Sequence, residues 1–416
     1  MEKSKLRQII LDQQEEFNKP EELIDRDINL DSYLKGNEII VISGIRRCGK
    51  SSLLKIISKK TKGSKLFLNF DDIRLIDFTT DNFQDIQNIA YEILNTKNVT
   101  YFLDEIQNAK NWERWVNNLY SKNIKVFVTG SNSELLSSEI STFLTGRNKV
   151  IKLSPFSFKE FLRFHGINKT KSLTTTEKNV IFNKFLEYFE LGGFPLIIKN
   201  NDVKLSKYYF EDILNKDVLN RYKIKQTKEI KDMILYLFSN AGRTYSYSTL
   251  KQVTDIKSLS TIKSYIDYFK NVFLLFTINK FDYSIKKQKI SSSKIYIADN
   301  SFFKTISLNF SENLGKRLEN LVFLELKRRG KEVYYHLNKK ECDFVIKKGI
   351  KLVQLIQVSL KLDNLNTKKR EIGGLRDAMK KYDLKEGIIL TLENERTITK
   401  EGEKIIIKPV WKWLLE

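Results

Sequence analysis

The feature that most constrains this chain is an octapeptide, Gly44-Ile45-Arg46-Arg47-Cys48-Gly49-Lys50-Ser51, set between the apolar run "EIIVIS" and the helical "SLLKIISKK". It fits G-x-x-x-x-G-K-[ST] in the strand-to-helix context that such a loop requires. Gly44 and Gly49 let the backbone curl so that its N–H groups face an anion. The helix that follows presents its positive end to the same place. Lys50 is expected to reach the outer phosphates of a nucleotide. Ser51, with Ser52 beside it, is expected to bring a hydroxyl to Mg2+. A loop of this kind needs a strand behind it and a helix ahead, so this part of the chain must be α/β.

The surrounding text agrees. Apolar runs at 65–72, 98–105, 124–132 and 148–156 alternate with helical stretches, which predicts a parallel sheet covered on both faces. "TYFLDE" delivers Asp104 and Glu105 to the carboxyl end of its strand, where ligands bind in such sheets. Asp104 is expected to hold Mg2+ through its water shell, and Glu105 to polarise an attacking water. Thr129, Ser131 and Asn132, at the end of the next strand, are candidates to sense a terminal phosphate. Arg147 is a candidate finger for a neighbouring subunit's site. ATP is the expected ligand.

Composition narrows the partners. Lys and Arg outnumber Asp and Glu 73 to 51, a net charge of +22 over 416 residues. That excess favours a polyanion such as DNA. Only two cysteines, Cys48 and Cys342, and two histidines, His165 and His336, are present. A disulfide framework and a structural zinc site are therefore excluded, and a cytoplasmic setting is expected. No uncharged run of eighteen apolar residues exists to span a membrane. The opening "MEKSKLRQIILDQQEEF" lacks the apolar core of a signal peptide.

Beyond residue 156 the periodicity changes. Residues 157–227 read as helices. Residues 228–311 read as three helices and a hairpin, the order of a winged helix-turn-helix. Its recognition helix would be "SLSTIKSYIDYFKNVFLL", with Ser258, Ser260, Thr261 and Lys263 near its start, and Ile262, Ile266 and Phe269 facing the core. Residues 312–416 open on a helix. Strands follow at "EVYYHLN", "CDFVIKK" and "KLVQLIQVSL", then a helix, then "EGIILTL" and "KIIIKPVWKWLL".

As a set, "SGIRRCGKSSLL", "YFLDEIQN", "VTGSNSELLS", "TGRNKVIKLSPFSFKEF" and "GGFP" resemble prokaryotic AAA-superfamily ATPases of the archaeal-ATPase type. The resemblance implies an α/β fold with a P-loop AAA+-like parallel-sheet core at 1–156, a helical lid at 157–227, a winged helix at 228–311 and a restriction-endonuclease-like domain at 312–416. It also implies that Pro195, in Gly193-Phe194-Pro195, contacts adenine. A nuclease of that fold gathers a helix Glu, a strand Asp and a Glu-x-Lys around Mg2+. Glu319 and Asp343 match the first two, but the third element reads Gln357-Val358-Ser359. Glu341 and Lys361, on the same strand faces as Asp343 and Ser359, are candidate substitutes. The expected function is ATP binding and Mg2+-dependent hydrolysis coupled to DNA binding, in a chain that could self-associate. The alternatives are a signalling or defence switch that docks a protein partner, and an ATP-licensed DNA nuclease.

Overall fold

The computed structural model describes residues 1–132, 146–306, 314–400 and 402–416. The chain divides into two compact units, one of residues 1–155 with 271–273, the other of 156–270 with 274–416.

The first unit is built on five strands, β1 (Ile39–Ser43), β2 (Ser64–Asn69), β3 (Val99–Asp104), β4 (Val126–Gly130) and β5 (Asn148–Lys152). All pair in parallel, in the order β2-β3-β4-β1-β5. β1 reads IIVIS and every residue of it is buried, as a strand covered on both faces requires. Helices α1 (Lys3–Asn18), α2 (Lys50–Lys60), α3 (Asn82–Leu94) and α4 (Trp112–Ser121) accompany the sheet. In α4 the buried residues Trp112, Trp115, Val116 and Leu119 fall at i, i+3, i+4 and i+7, one stripe of a helix. Trp115 stacks on Phe83 of α3 with ring centroids 4.6 Å apart.

α1 solves the problem of the outer strand. An edge strand leaves N–H groups unpaired. Here the side chains of Gln13 and Gln14 accept from the backbone N–H of Asn69 and Phe67, at 2.7 and 2.9 Å. Phe17 stacks on Phe67 at 4.0 Å, so the helix both covers and terminates the sheet.

The second unit begins with α5 (Phe158–Phe164) and α6 (Thr175–Leu191). Both start in capping boxes, Ser157 with Glu160 and Thr174 with Glu177. Next come α7 (Pro195–Asn200), α8 (Leu205–Asp212) and a π-helical turn at Ile213–Asn220. Helices α9 (Thr227–Ser239), α10 (Tyr247–Val253) and α11 (Leu259–Asn271) accompany a three-stranded antiparallel sheet. That sheet is ordered β6 (Thr244–Tyr245), β8 (Ser293–Ile297), β7 (Leu275–Asn279). Ile262, Ile266 and Phe269 of α11 are buried, with Tyr265 beside them. A short helix, α12 (Ile285–Ile290), links β7 to β8.

The last segment holds a six-stranded mixed sheet of β9 (Glu332–Leu337), β10 (Glu341–Lys348), β11 (Lys351–Val358), β12 (Glu386–Thr391), β13 (Arg396–Lys400) and β14 (Glu403–Pro409). Its order is β13-β14-β12-β11-β10-β9. Helices α13 (Leu314–Arg328) and α14 (Leu365–Tyr382) pack against it. Two details depart from the sequence reading. "RTITK" forms the edge strand β13. "VWKWL" is a helix, α15 (Val410–Leu414), because Pro409 can donate no ladder hydrogen bond and its fixed φ suits a helix start.

Phe102 and Phe127 are fully buried and stack across β3 and β4 at 5.0 Å. Phe102→Ala should destabilise the chain by about 3–5 kcal/mol. Tyr208→Ala, at a position 64% exposed, should stay within roughly 0.5 kcal/mol of wild type. Urea denaturation followed by tryptophan fluorescence measures both.

Candidate functional site

At the carboxyl end of β1 the backbone passes so close to β5 that a Cβ on Gly44 would stand 2.0 Å from the Leu153 carbonyl oxygen. Only glycine fits there. Gly49 has φ +100°, a left-handed conformation that also favours glycine, and α2 begins at the next residue. Ile45 and Cys48 are buried, Arg46 is half-buried with its guanidinium 3.6 Å from Asp71, and Arg47 is exposed at φ +71°. Arg26, just ahead of β1, braces the loop from outside. Its guanidinium donates to the Cys48 carbonyl at 3.1 Å and the Ser154 carbonyl at 2.6 Å. Nothing in the local pattern marks Arg26 for that task.

The Lys50 ammonium is buried inside the loop. It lies 3.2 Å from Glu105 Oε1, 3.3 Å from the Gly44 carbonyl and 3.5 Å from that of Ile45. Burial alone would lower the lysine's pKa, but Glu105 and its neighbours reverse the balance and hold it above the usual value. Burial likewise pushes Glu105 up, and the Lys50 charge outweighs it, leaving the carboxyl at about 2. Both partners are charged at neutral pH.

Asp104 ends β3 almost fully buried. One of its oxygens accepts from the Ser51 hydroxyl at 2.6 Å and the other from the Thr129 hydroxyl. Burial, then the charge of Glu105, raises its pKa. Thr129 in turn accepts the backbone N–H of Glu105 at 3.0 Å, steadying a residue in the left-handed conformation. Thr129 thus positions the two acids. Ser131 and Asn132 are buried at the same strand end, and the Asn132 carbonyl accepts from the Ser43 hydroxyl. Residues 133–137 of "VTGSNSELLS" lie outside the described residues. Ser51 and Asp104 are adjacent hard oxygen donors, a set that suits Mg2+.

Arg147 is not part of this cluster. It precedes β5, beside the start of β1, and its carbonyl accepts from Ile39 N–H. Four strand steps separate Ile39 from Ser43, roughly 13 Å. Its guanidinium donates to Asn117 Oδ1 at 2.5 Å and lies 5.6 Å from the Tyr120 ring centroid. Pro195 belongs to the second unit, where it opens α7. There the "GGFP" turn is held by Asp299, which accepts from Gly193 N–H at 2.8 Å.

In the second unit Glu319, Glu341 and Asp343 do meet, but around a residue the sequence reading passed over. The ammonium of Lys294, from β8, lies 3.1 Å from Glu319, 2.5 Å from Glu341 and 3.2 Å from Asp343. Lys361 is not the cation there; it lines the adjoining cleft beyond the end of β11. Gln357 accepts from Asp343 N–H and donates to Glu371 at 2.6 Å. A lysine alternating with inward Tyr296 in the otherwise apolar "KIYIA" was the available signal. Ser258, Ser260 and Lys263, at the start of α11, are exposed, and Thr261 is half-buried.

Residues 36–162 match the family model described as an AAA domain, and residues 182–313 match a domain of unknown function, DUF8612. "Uncharacterized protein MJ1544" of Methanocaldococcus jannaschii is 38% identical over 428 residues, covering 98% of this chain and 94% of that protein. An "Uncharacterized protein" of Haemophilus influenzae is 30% identical over 393 residues, covering 91% and 94%. The chain belongs to their family. In this chain the AAA domain holds the P-loop, Asp104 and Glu105, a nucleotide-binding core of the AAA type. Among solved structures, the Thermotoga maritima RuvB Holliday junction branch migration motor is 15% identical, with TM-score 0.31 over 57% of this chain and 81% of that one. The S. cerevisiae Hsp104–ADP complex is 13% identical, with TM-score 0.32 over 60% and 39%. These overlaps are partial, and the fold assignment stands on the strand order itself.

Removing one member of a buried ion pair leaves the other uncompensated. Lys50→Met should therefore cost about 3 kcal/mol in nucleotide-free protein, and Glu105→Gln on the same chain should restore most of it. Because the folded pKa of Glu105 lies below its ordinary 4.5, the pair's contribution is complete above about pH 4.5 and fades as pH falls towards 2. Urea titrations of the single and double variants at pH 7 and pH 3 measure both effects.

Proposed function

We propose that this protein binds ATP with Mg2+ at Gly44–Ser51, hydrolyses it with Glu105, and couples the nucleotide state to DNA binding. The observation that carries the ATPase reading is the buried contact between Lys50 and Glu105, with Ser51 and Asp104 alongside. The lysine that would grip a phosphate and the acid that would activate water share one site. In the nucleotide-free chain Glu105 is the counter-ion of Lys50. A γ-phosphate, with more charge and three oxygens, takes over that role, and Glu105 is released to orient and deprotonate water. When bound, Mg2+ would be held by Ser51 directly and Asp104 through water, and would neutralise charge on the phosphates. Arg147 would enter this scheme only across a subunit boundary.

DNA binding rests on the net charge of +22 and on the exposed start of α11, where Ser260, Thr261 and Lys263 face solvent or lie at its edge. The three helices and antiparallel sheet around α11 support a winged-helix reading, in which that helix end would enter the major groove. The nuclease alternative is weakened by the three ion pairs that Lys294 makes with its carboxylates.

Lys50→Ala should abolish ATP binding in an equilibrium titration with a fluorescent analogue. Glu105→Gln should keep binding and lose at least about 100-fold in turnover; equal turnover by Glu105→Gln and wild type would remove Glu105 from the mechanism. For DNA, the apparent association constant should fall steeply as salt rises from 50 to 200 mM, and Lys263→Ala should flatten that slope by about one. Filter binding measures it, and salt-independent or absent retention would sink the DNA reading.

A further inference from the structure

The carboxylates of the nuclease-like segment are arranged around an ammonium group, and that arrangement carries a conclusion of its own. Lys294 is only 1% exposed. An ammonium has three donors and no acceptor. Here three carboxylate oxygens, from Glu319 on α13 and from Glu341 and Asp343 on β10, lie within 3.2 Å of it. Two of these contacts, to Glu319 and Asp343, are hydrogen bonds, and the third, to Glu341, is an ion pair. The remaining oxygens of the two buried acids are also taken. Glu319 Oε2 accepts from Lys316 at 2.7 Å, and its Oε1 accepts from the Tyr296 hydroxyl at 2.7 Å as well. Asp343 Oδ2 accepts from Val358 N–H at 3.0 Å.

A divalent ion would need these same oxygens, two to three of them at once. It would also have to sit within a few ångströms of the buried Lys294 ammonium, which extends from a strand paired on both sides. Among the described residues no group of three or more His, Cys, Asp or Glu side chains is arranged to hold a metal. Access is not the obstacle. Glu341 is 40% exposed and lines a cleft of about 1230 Å³ that also reaches Glu319 and Asp343. The lysine of a working nuclease of this fold stands beside its Mg2+, whereas this ammonium engages all three carboxylates at once, so the oxygens that Mg2+ would share are already taken.

We infer that Lys294 is the resident cation of this cluster: its ammonium takes the position of a divalent metal and turns a hydrolytic carboxylate set into a fixed joint. The joint ties the three-stranded sheet, through β8, to α13 and β10 of the six-stranded sheet. The backbone supports the same junction, since Phe281 N–H donates to the Tyr335 carbonyl at 2.8 Å and Tyr335 donates through its hydroxyl to the Ser292 carbonyl at 2.6 Å. What reads in sequence as two modules, a hairpin and a nuclease-like domain, is one body held by a buried charge cluster.

The test uses the full chain without nucleotide, in an Asp104→Asn background that silences the P-loop metal site, and Mn2+ as the probe. With Lys294 present, millimolar Mn2+ should leave the thermal midpoint unchanged and give no calorimetric binding that Asp343→Asn abolishes. Lys294→Met should gain one Mn2+ site, seen as a rise of at least about 3 °C in midpoint, and Asp343→Asn on that chain should remove it. An Asp343-dependent Mn2+ site in the Lys294 protein would overturn the inference. So would a folded Lys294→Met variant that binds no Mn2+. If Lys294→Met fails to fold with and without Mn2+, the Lys294 protein alone decides, by the presence or absence of that site.

Discussion

Asp104 is the point on which the nucleotide site is hung. It ends β3, next to β4, and its two oxygens are held by hydroxyls from two other elements, Ser51 at the start of α2 and Thr129 on β4. That chain of contacts sets the P-loop helix against β3 and β4. The carboxyl is buried, and burial, with the neighbouring charge of Glu105, opposes its ionisation. Neither hydroxyl supplies a charge to compensate it. A buried acid with only neutral donors is the kind of group that a cation stabilises strongly. Structure and chemistry converge there: the interaction that orders the strand ends is also the one a metal ion would exploit.

Glu105 follows from the same arrangement. Its backbone is turned into the left-handed region and fastened to Thr129, and its side chain meets Lys50. The P-loop is thus closed by its own lysine, with loop carbonyls as the other two neighbours. Those carbonyls are neutral, so one carboxylate is in contact with the ammonium, and Asp104 adds its charge from farther away. Lys294 differs in this respect. It faces three carboxylates. The first lysine can trade one acid for a phosphate with a gain in charge complementarity. The second is already saturated. Burial is similar in the two cases, and the number of counter-charges separates an exchangeable site from a structural one.

How much of this was legible follows from the range of the interactions involved. The P-loop, Asp104 and Glu105 could be read because each is specified by a few contiguous residues and by its place at a strand end. The inner strands β1, β3 and β4 were equally plain, since strands covered on both faces are written as largely apolar runs. The buried face of α11 could be read from spacing alone. Where the reading failed, local patterns misled it. "VWKWL" is apolar enough for a strand, but Pro409 ends the ladder before it. "RTITK" is too polar to suggest a strand until β14 is present to pair with it.

The sequence by itself determined the phosphate-binding loop, its acidic partner and the parallel sheet that carries both, because backbone sterics and periodicity act over a handful of residues. Only the tertiary structure decided the roles of Arg26, Thr129 and Lys294. Arg26 reaches a carbonyl 128 residues away, and Thr129 supports an acid 25 residues before it. Lys294 gathers carboxylates 25 to 49 residues later in the chain. Whether a buried charge is a site or a joint depends on how many opposite charges fold around it, and no stretch of contiguous residues records that number.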